Sequence, residues 1–310
     1  MLWSIGPPLP NTLAGPMIQA PQLAPYAQTM QLDGVGPVFY YDSQSARLNQ
    51  SLHQTVILIH GLQDEADSWR HVFVPLAQRY RVLALDLPGF GRSDKSQRRY
   101  SLPFFANSVL QFMDALKIMH ATLIGNSMGA MTAELVALLH PARVSRLVLI
   151  DGTLQIVERP RPAIGLLPQL FPAYYNRKYF ALLRGDPQMA YNTLRPYYAD
   201  LDGLPQADQD FLYQRVNERV WDERQRLAAL SVQMNMAPFF ITQLPSWQRA
   251  IVHSPVPTQV IWGAADAILS LRNGQARVAQ QRLPAQLTII PNSGHLPHQE
   301  TPDAVLSILA

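Results

Sequence analysis

The chain has 310 residues, 48% of them hydrophobic, enough to bury one large core with or without an inserted second unit. Its 25 Lys and Arg against 22 Asp and Glu give a net charge of +3, but the basic residues are scattered and no Lys/Arg tract alternates with aromatics, so no nucleic-acid partner is expected. Cysteine is absent, which excludes disulfides, thiol catalysis and thiolate metal sites.

Residues 1–26 read as a proline-rich N-terminal arm, interrupted by Pro7, Pro8, Pro10, Pro16, Pro21 and Pro25, and the first charged residue is Asp33. This stretch lacks the basic start and unbroken apolar run of a secretory signal. The apolar run 118–133 is shorter than the roughly 20 residues of a membrane span. A soluble, cytoplasmic protein with no membrane span is expected. Residues 28–42 predict an antiparallel hairpin turning near Asp33-Gly34. Strands over 55–59, 81–85, 120–124 and 144–150 then alternate with helices over 66–79, 101–117 and 128–139. That rhythm predicts an α/β fold, a mostly parallel central sheet with helices on both faces. His140-Pro141 closes the third helix, because proline cannot continue it.

From about Thr153 to about Pro255 the strand signal stops, and Phe211, Leu212, Val216 and Val220 recur at helical spacing. The α/β rhythm resumes at Thr258. The expected organisation is a core of residues 27–152 and 256–310, with a helical cap, or lid, of residues 153–255 inserted after the sixth core strand. Arg159 and Arg161, beside Pro160 and Pro162, read as a solvated linker.

The chemistry concentrates at strand ends. The apolar run Ala121–Ile124 passes through Gly125-Asn126-Ser127-Met128-Gly129 into a helix-like stretch. Gly-x-Ser-x-Gly between strand and helix is the form of a nucleophile elbow, in which flanking glycines let the two backbones approach and push the serine Oγ out. The run Gln259–Asp266 ends a strand in a carboxylate, and Leu287–His295 ends another in a histidine. Serine, acid and histidine thus follow in chain order, each just past a strand, where open α/β sheets place ligands and reacting groups. Ser127 is the candidate nucleophile, His295 the base that activates it and Asp266 the acid that orients the imidazole. Asp151, in Ile150-Asp151-Gly152, is the alternative acid. His60 reads as a brace of the loop after strand 55–59, and His298 as facing solvent or packing on a neighbouring helix. Arg92, after Gly89 and Gly91, lacks a following Lys-Ser/Thr and reads as structural. No His-x-x-x-His, His-Glu-x-x-His or spaced carboxylate cluster occurs, so no metal and no cofactor are expected.

Five landmarks stand in order: His60-Gly61, Asp86-Leu87-Pro88-Gly89-Phe90-Gly91-Arg92-Ser93, Gly125–Gly129, Trp262-Gly263-Ala264-Ala265-Asp266, and Gly294-His295-Leu296-Pro297-His298-Gln299-Glu300. In these the chain resembles the α/β-hydrolase superfamily over roughly residues 27–310. The resemblance implies a serine hydrolase of the α/β-hydrolase fold, with an oxyanion hole built from the backbone N–H groups of Met128 and Leu62. Some members take their acid from the position of Asp151. The cap region is rich in Phe171, Tyr174, Tyr175, Tyr179, Phe180, Tyr197, Tyr198, Phe211, Tyr213, Trp221, Met234, Met236, Phe239, Phe240 and Trp247. A small-molecule substrate with an apolar or aromatic acyl group is therefore expected, and hydrolysis of carboxylic esters is the leading reading. Two alternatives stay open. The elbow Gly-Asn-Ser-Met-Gly is similar to that of hydrolases cleaving carbon–carbon bonds in ring-fission products, although Leu296 stands where those enzymes usually carry tryptophan. A small-ligand receptor that retains the triad is the other, since fold does not settle function.

Overall fold

Successive side chains along a strand point to opposite faces, so apolar runs such as Thr55–Ile59 must be covered on both sides. In the computed structural model, which describes residues 19–46, 54–158, 172–283 and 285–309, they are. Eight strands, β1 (Ala27–Leu32), β2 (Gly36–Asp42), β3 (Thr55–Ile59), β4 (Arg81–Leu85), β5 (Ala121–Asn126), β6 (Val144–Ile150), β7 (Thr258–Gly263) and β8 (Gln286–Ile290), pair in the order β1-β2-β4-β3-β5-β6-β7-β8. The pairings β1–β2 and β2–β4 are antiparallel, and all others are parallel. Ile57, Leu85, Leu123, Leu149 and Val260 on one face are buried with Val109, Phe112 and Leu135 from helices α2 (Leu102–Ala115) and α3 (Met128–Leu139). Val56, Leu58, Ala84, Val148 and Ile261 on the other are buried with Phe73 and Leu76 of α1 (Phe73–Ala77). Each such aliphatic side chain contributes about 1.5–3 kcal/mol of burial free energy.

Strands 55–59, 81–85 and 144–150 and helix 128–139 stand at their expected bounds. The helix expected over 66–79 is broken: a 3-10 turn, Ala66–Trp69, precedes the short α1. Pro75 explains the difference. A continuous helix would need the N–H that proline lacks, whereas in the first turn of α1 that donor has no intrahelical partner to lose. The buried Asp67 also anchors this segment, accepting hydrogen bonds from Ala20 N at 2.7 Å and from Tyr41 Oη at 2.9 Å. Most of the expected arm, together with Arg159 and Arg161, lies outside the described residues.

Between β6 and β7 the described residues form only helices and turns: α4 (Pro172–Gly185), α5 (Pro187–Asn192), α6 (Gln206–Arg219), α7 (Glu223–Thr242) and α8 (Leu244–Val252). After β7 come α9 (Leu271–Gln280), and after β8 α10 (Pro297–Glu300) and α11 (Pro302–Leu309). The helical segment divides in its packing. Leu183, Tyr191, Tyr198, Leu212 and Val216 form a separate apolar cluster, which Leu296 joins from the core. Val232, Phe239, Leu244 and Ile251 instead pack into the main cluster. Of the aromatic residues named above, Tyr213 and Trp221 are exposed, and Phe171, Tyr174 and Tyr175 fall outside the described side chains. No helix among the described residues is long and apolar enough to cross a membrane.

A polar seam fastens α6 to the loops beyond β3 and β8. Glu65 is fully buried and accepts from Arg215 Nε at 2.7 Å and Arg219 Nη2 at 2.6 Å, while Arg219 also reaches Asp64 at 3.0 Å. Burial alone would raise the Glu65 pKa, but the charges of Arg215 and Arg219 outweigh it and hold the carboxyl well below the usual carboxylate range. Arg70 pairs with Asp208 at 2.7 Å and donates to Gln299 Oε1 at 3.0 Å. His298 is not at the surface. It is fully buried, with Nε2 2.8 Å from Ser68 Oγ and its ring 4.3 Å from that of Trp69, and burial and the Arg70 charge depress its pKa well below the ordinary 6.5.

Removing Arg215 leaves a buried carboxylate short of one partner. Arg215→Met is expected to cost about 3–5 kcal/mol in urea unfolding, and adding Glu65→Gln should recover most of that loss. Because the folded His298 is hard to protonate, its contribution is complete above pH 6.5 and is lost as pH falls below it. The stability gap between wild type and His298→Asn should therefore narrow between about pH 8 and about pH 5 in the same unfolding assay.

Candidate active site

The turn from β5 into α3 is compressed to the limit of backbone contact. A Cβ on Gly125 would collide with Gly129 O, one on Gly129 with Ile59 O, and one on Gly152 with Ser127 O. Ser127 occupies the resulting corner with φ 53° and ψ −118°, and its N–H donates to Ile150 O at 2.9 Å. A non-glycine residue in this region carries a cost of order 1–3 kcal/mol and persists only where its surroundings over-determine it. Here three glycine contacts do so. The corner leaves Ser127 partly exposed at the carboxyl edge of the sheet.

Met128 is the first residue of α3, so its N–H has no intrahelical acceptor and stands at the positive end of the helix dipole. Leu62 follows Gly61, and a Cβ on Gly61 would sit 3.3 Å from Ser127 Cβ, which brings the Gly61-Leu62 backbone beside the serine. His60 braces this loop as expected. Its Nε2 accepts from Leu87 N at 2.9 Å, leaving Nδ1 to donate to Gly61 O at 2.7 Å.

The structure brings Asp266 and His295 together: Asp266 Oδ2 lies 2.8 Å from His295 Nδ1, with both side chains buried. Asp266 Oδ1 accepts from Ile268 N at 2.8 Å and Leu269 N at 3.0 Å, which fixes the carboxylate before the imidazole reaches it. The loops carrying the two groups touch directly, since a Cβ on Gly263 would collide with Gly294 O. Asn126, adjacent to Ser127, donates through Nδ2 to His295 O at 3.0 Å and so ties the elbow to the histidine loop.

Two further contacts hold His295 and were not singled out in the sequence. Its backbone N–H donates to Tyr197 O of the helical segment at 2.8 Å. Glu300 accepts from Gly294 N and from Ala199 N, each at 2.6 Å, and joins the histidine loop to the same segment. Glu300 belongs to the Gly294–Glu300 landmark, but besides Ser293 Oγ at 3.2 Å its partners are backbone amides, which no residue pattern advertises.

Asp151 follows β6 directly, in positive φ, 46°, and is fully buried. Its Oδ1 accepts from Gly263 N at 2.9 Å, and one oxygen or nitrogen from each of Asp151, Asp266 and His295 falls within 4.8 Å of the others. Burial, then the neighbouring Asp266 charge, raise the Asp151 pKa well above the ordinary 3.8. Asp151 bonds a strand end, not the histidine. Arg92, in the loop after β4, is engaged by the buried Asp86 at 2.9 Å, by Asp67 and by Tyr41 Oη at 2.8 Å, a bracing arrangement with no open anion cradle.

A sequence profile described as alpha/beta hydrolase fold matches residues 54–302. An uncharacterized protein of Mycobacterium tuberculosis is 28% identical over 315 residues, covering 96% of this chain and 81% of its own length. Among solved structures, a bacterial membrane phospholipase A superposes with a TM-score of 0.66 at 26% identity, covering 91% of this chain and 84% of its own. The 2-hydroxy-6-oxo-6-phenylhexa-2,4-dienoate hydrolase of a Rhodococcus species superposes at 0.71 with 19% identity, covering 91% and 98%, a likeness of fold. With the profile spanning most of the chain and the sheet order, elbow and strand-end groups in place, the protein belongs to the alpha/beta hydrolase fold family.

Proposed function

We propose that the protein hydrolyses carboxylic esters of small, apolar acyl substrates through a Ser127 acyl-enzyme. The observation that carries this reading is the 2.8 Å Asp266–His295 contact, whose histidine loop Asn126 ties at 3.0 Å to the strained elbow that holds Ser127. His295 Nε2 takes the proton from Ser127 Oγ as the oxygen attacks the ester carbonyl, and Asp266 stabilises the imidazolium that results. The carbonyl oxygen becomes an oxyanion that the N–H groups of Met128 and Leu62 receive, an interaction worth about 2.7–4 kcal/mol per donor in comparable sites. His295 then protonates the departing alkoxide. Water, deprotonated by the same imidazole, attacks the acyl carbonyl and returns the acid product and free Ser127.

In this reading the helices between β6 and β7 are a cap over the strand ends. Leu296, next to His295, lies in the cap's own apolar cluster, so the chain entering from the base is packed among apolar cap side chains, in keeping with an apolar acyl group. The 26% identity to a phospholipase A is in keeping with an acyl ester.

Ser127→Ala and His295→Ala are each expected to lower kcat on p-nitrophenyl acyl esters by at least about 10⁴-fold, and a fluorophosphonate should modify Ser127 in active protein. Ligand binding without turnover would replace the reading with a receptor, and turnover of a vinylogous diketone without ester turnover would replace it with carbon–carbon hydrolysis. Asp266→Asn, which disrupts tautomer and imidazolium stabilisation together, should cost about 10³–10⁴-fold in kcat, and Asp151→Asn far less. The reverse ranking would transfer the acid's role to Asp151.

A further inference from the structure

Asp151 takes part in none of these steps, yet it is a fully buried carboxyl facing the proposed acid. The hydrogen bonds around the two groups are unequal. Asp266 accepts from three donors, Ile268 N, Leu269 N and His295 Nδ1. Asp151 accepts from Gly263 N through Oδ1, and its buried Oδ2 accepts from no donor among the described residues. Two carboxyls this close and this dry cannot both hold a charge, and the one with fewer donors takes the proton. Once protonated, Oδ2 becomes a donor. Among the described residues the titratable groups that face it are Asp266 from the loop after β7, His295 from the loop after β8 and, farther off, Glu300 of α10.

Resting on the proposed hydrolase chemistry, we propose that Asp151 is a neutral carboxylic acid that donates its proton to Asp266, so that the triad acid is a pair of carboxyls sharing one proton and Asp151 is its positioning residue. The shared proton leaves a single negative charge under the imidazole. Without the proton from Asp151, Asp266 would lose one of the contacts that aim it at the imidazole. No bond to substrate is involved, and the proton stays between the two aspartates throughout the cycle.

The first test does not depend on activity. The infrared difference spectrum of wild type minus Asp151→Asn at neutral pH should contain the carbonyl stretch of a protonated carboxylic acid, shifted in heavy water. Its absence would mean that Asp151 is ionised and would overturn the proposal. Should Asp151→Asn fail to fold, Asp151→Ser serves in the same subtraction. The second test uses linkage. A carboxyl whose folded pKa is raised contributes stability below the ordinary 3.8 that is lost as pH rises, so the melting temperature of Asp151→Asn relative to wild type should climb from acid to neutral pH. A relative melting temperature independent of pH would again overturn it.

Kinetics then separates positioning from packing. Asp151→Asn keeps a donor toward Asp266 and an acceptor for Gly263, and should lose no more than about threefold in kcat, whereas Asp151→Ala keeps neither and should lose about tenfold or more with KM little changed. Equal losses in the two variants would make the role merely structural, and a loss in Asp151→Asn matching that of Asp266→Asn would make Asp151 a charged acid. Activity that survives Ser127→Ala would sink the hydrolase mechanism itself, and the infrared result would stand apart from it.

Discussion

The constraint on which the rest of this molecule depends is the closeness of three backbones at the end of β5. Gly125 meets Gly129 across the elbow, Gly129 meets the end of β3, and Gly152 beyond β6 meets Ser127. No side chain fits at any of the three. Because β3, β5 and β6 are adjacent parallel strands, the same contacts that bend the chain at Ser127 also set the Gly61 loop and the Asp151 turn beside it. A strained serine, a candidate oxyanion loop and a buried carboxyl are therefore consequences of one packing arrangement.

Much of this was legible in the sequence because it is local. An elbow is a spacing of glycines about a serine, and a group at a strand end is marked by the apolar run before it. The sheet strands and α3 were equally plain, since β-branched and leucine runs bounded by glycine and proline have few other readings. What stayed hidden involves distance or backbone. Glu65 meets Arg215 across 150 residues of chain, and nothing near Glu65 in sequence distinguishes it from a solvated loop acid. His298 reads equally as facing solvent or packing on a neighbouring helix, and only its distant partners Ser68 and Trp69 decide for the second. Pro75 broke a helix whose apolar spacing was otherwise sound, a case of missing donor chemistry outweighing periodicity.

The helical segment between β6 and β7 is attached by two kinds of force that differ in range and in tolerance. Val232, Phe239 and Leu244 join it to the core through apolar burial, which accepts other residues of similar volume. Glu65 with Arg215 and Arg219, and Arg70 with Asp208, join it through buried charge, which accepts almost nothing else. The ionic seam begins at Asp64, two residues after Leu62. The loop expected to bind the oxyanion is thus bordered by the elbow glycines on one side and by α6 on the other.

The hydrogen bond from His295 N to Tyr197 O has a consequence for how this architecture can be varied. The histidine loop takes its shape partly from the core, through Asn126, and partly from the inserted segment, through Tyr197 and the Glu300 bridge to Ala199. The segment is therefore not a detachable module. A chimaera that exchanged residues 172–252 for those of a relative would inherit a misplaced imidazole unless the backbone of 197–199 travelled unchanged. Variation of the inserted helices is confined to the stretches on either side of that short strap.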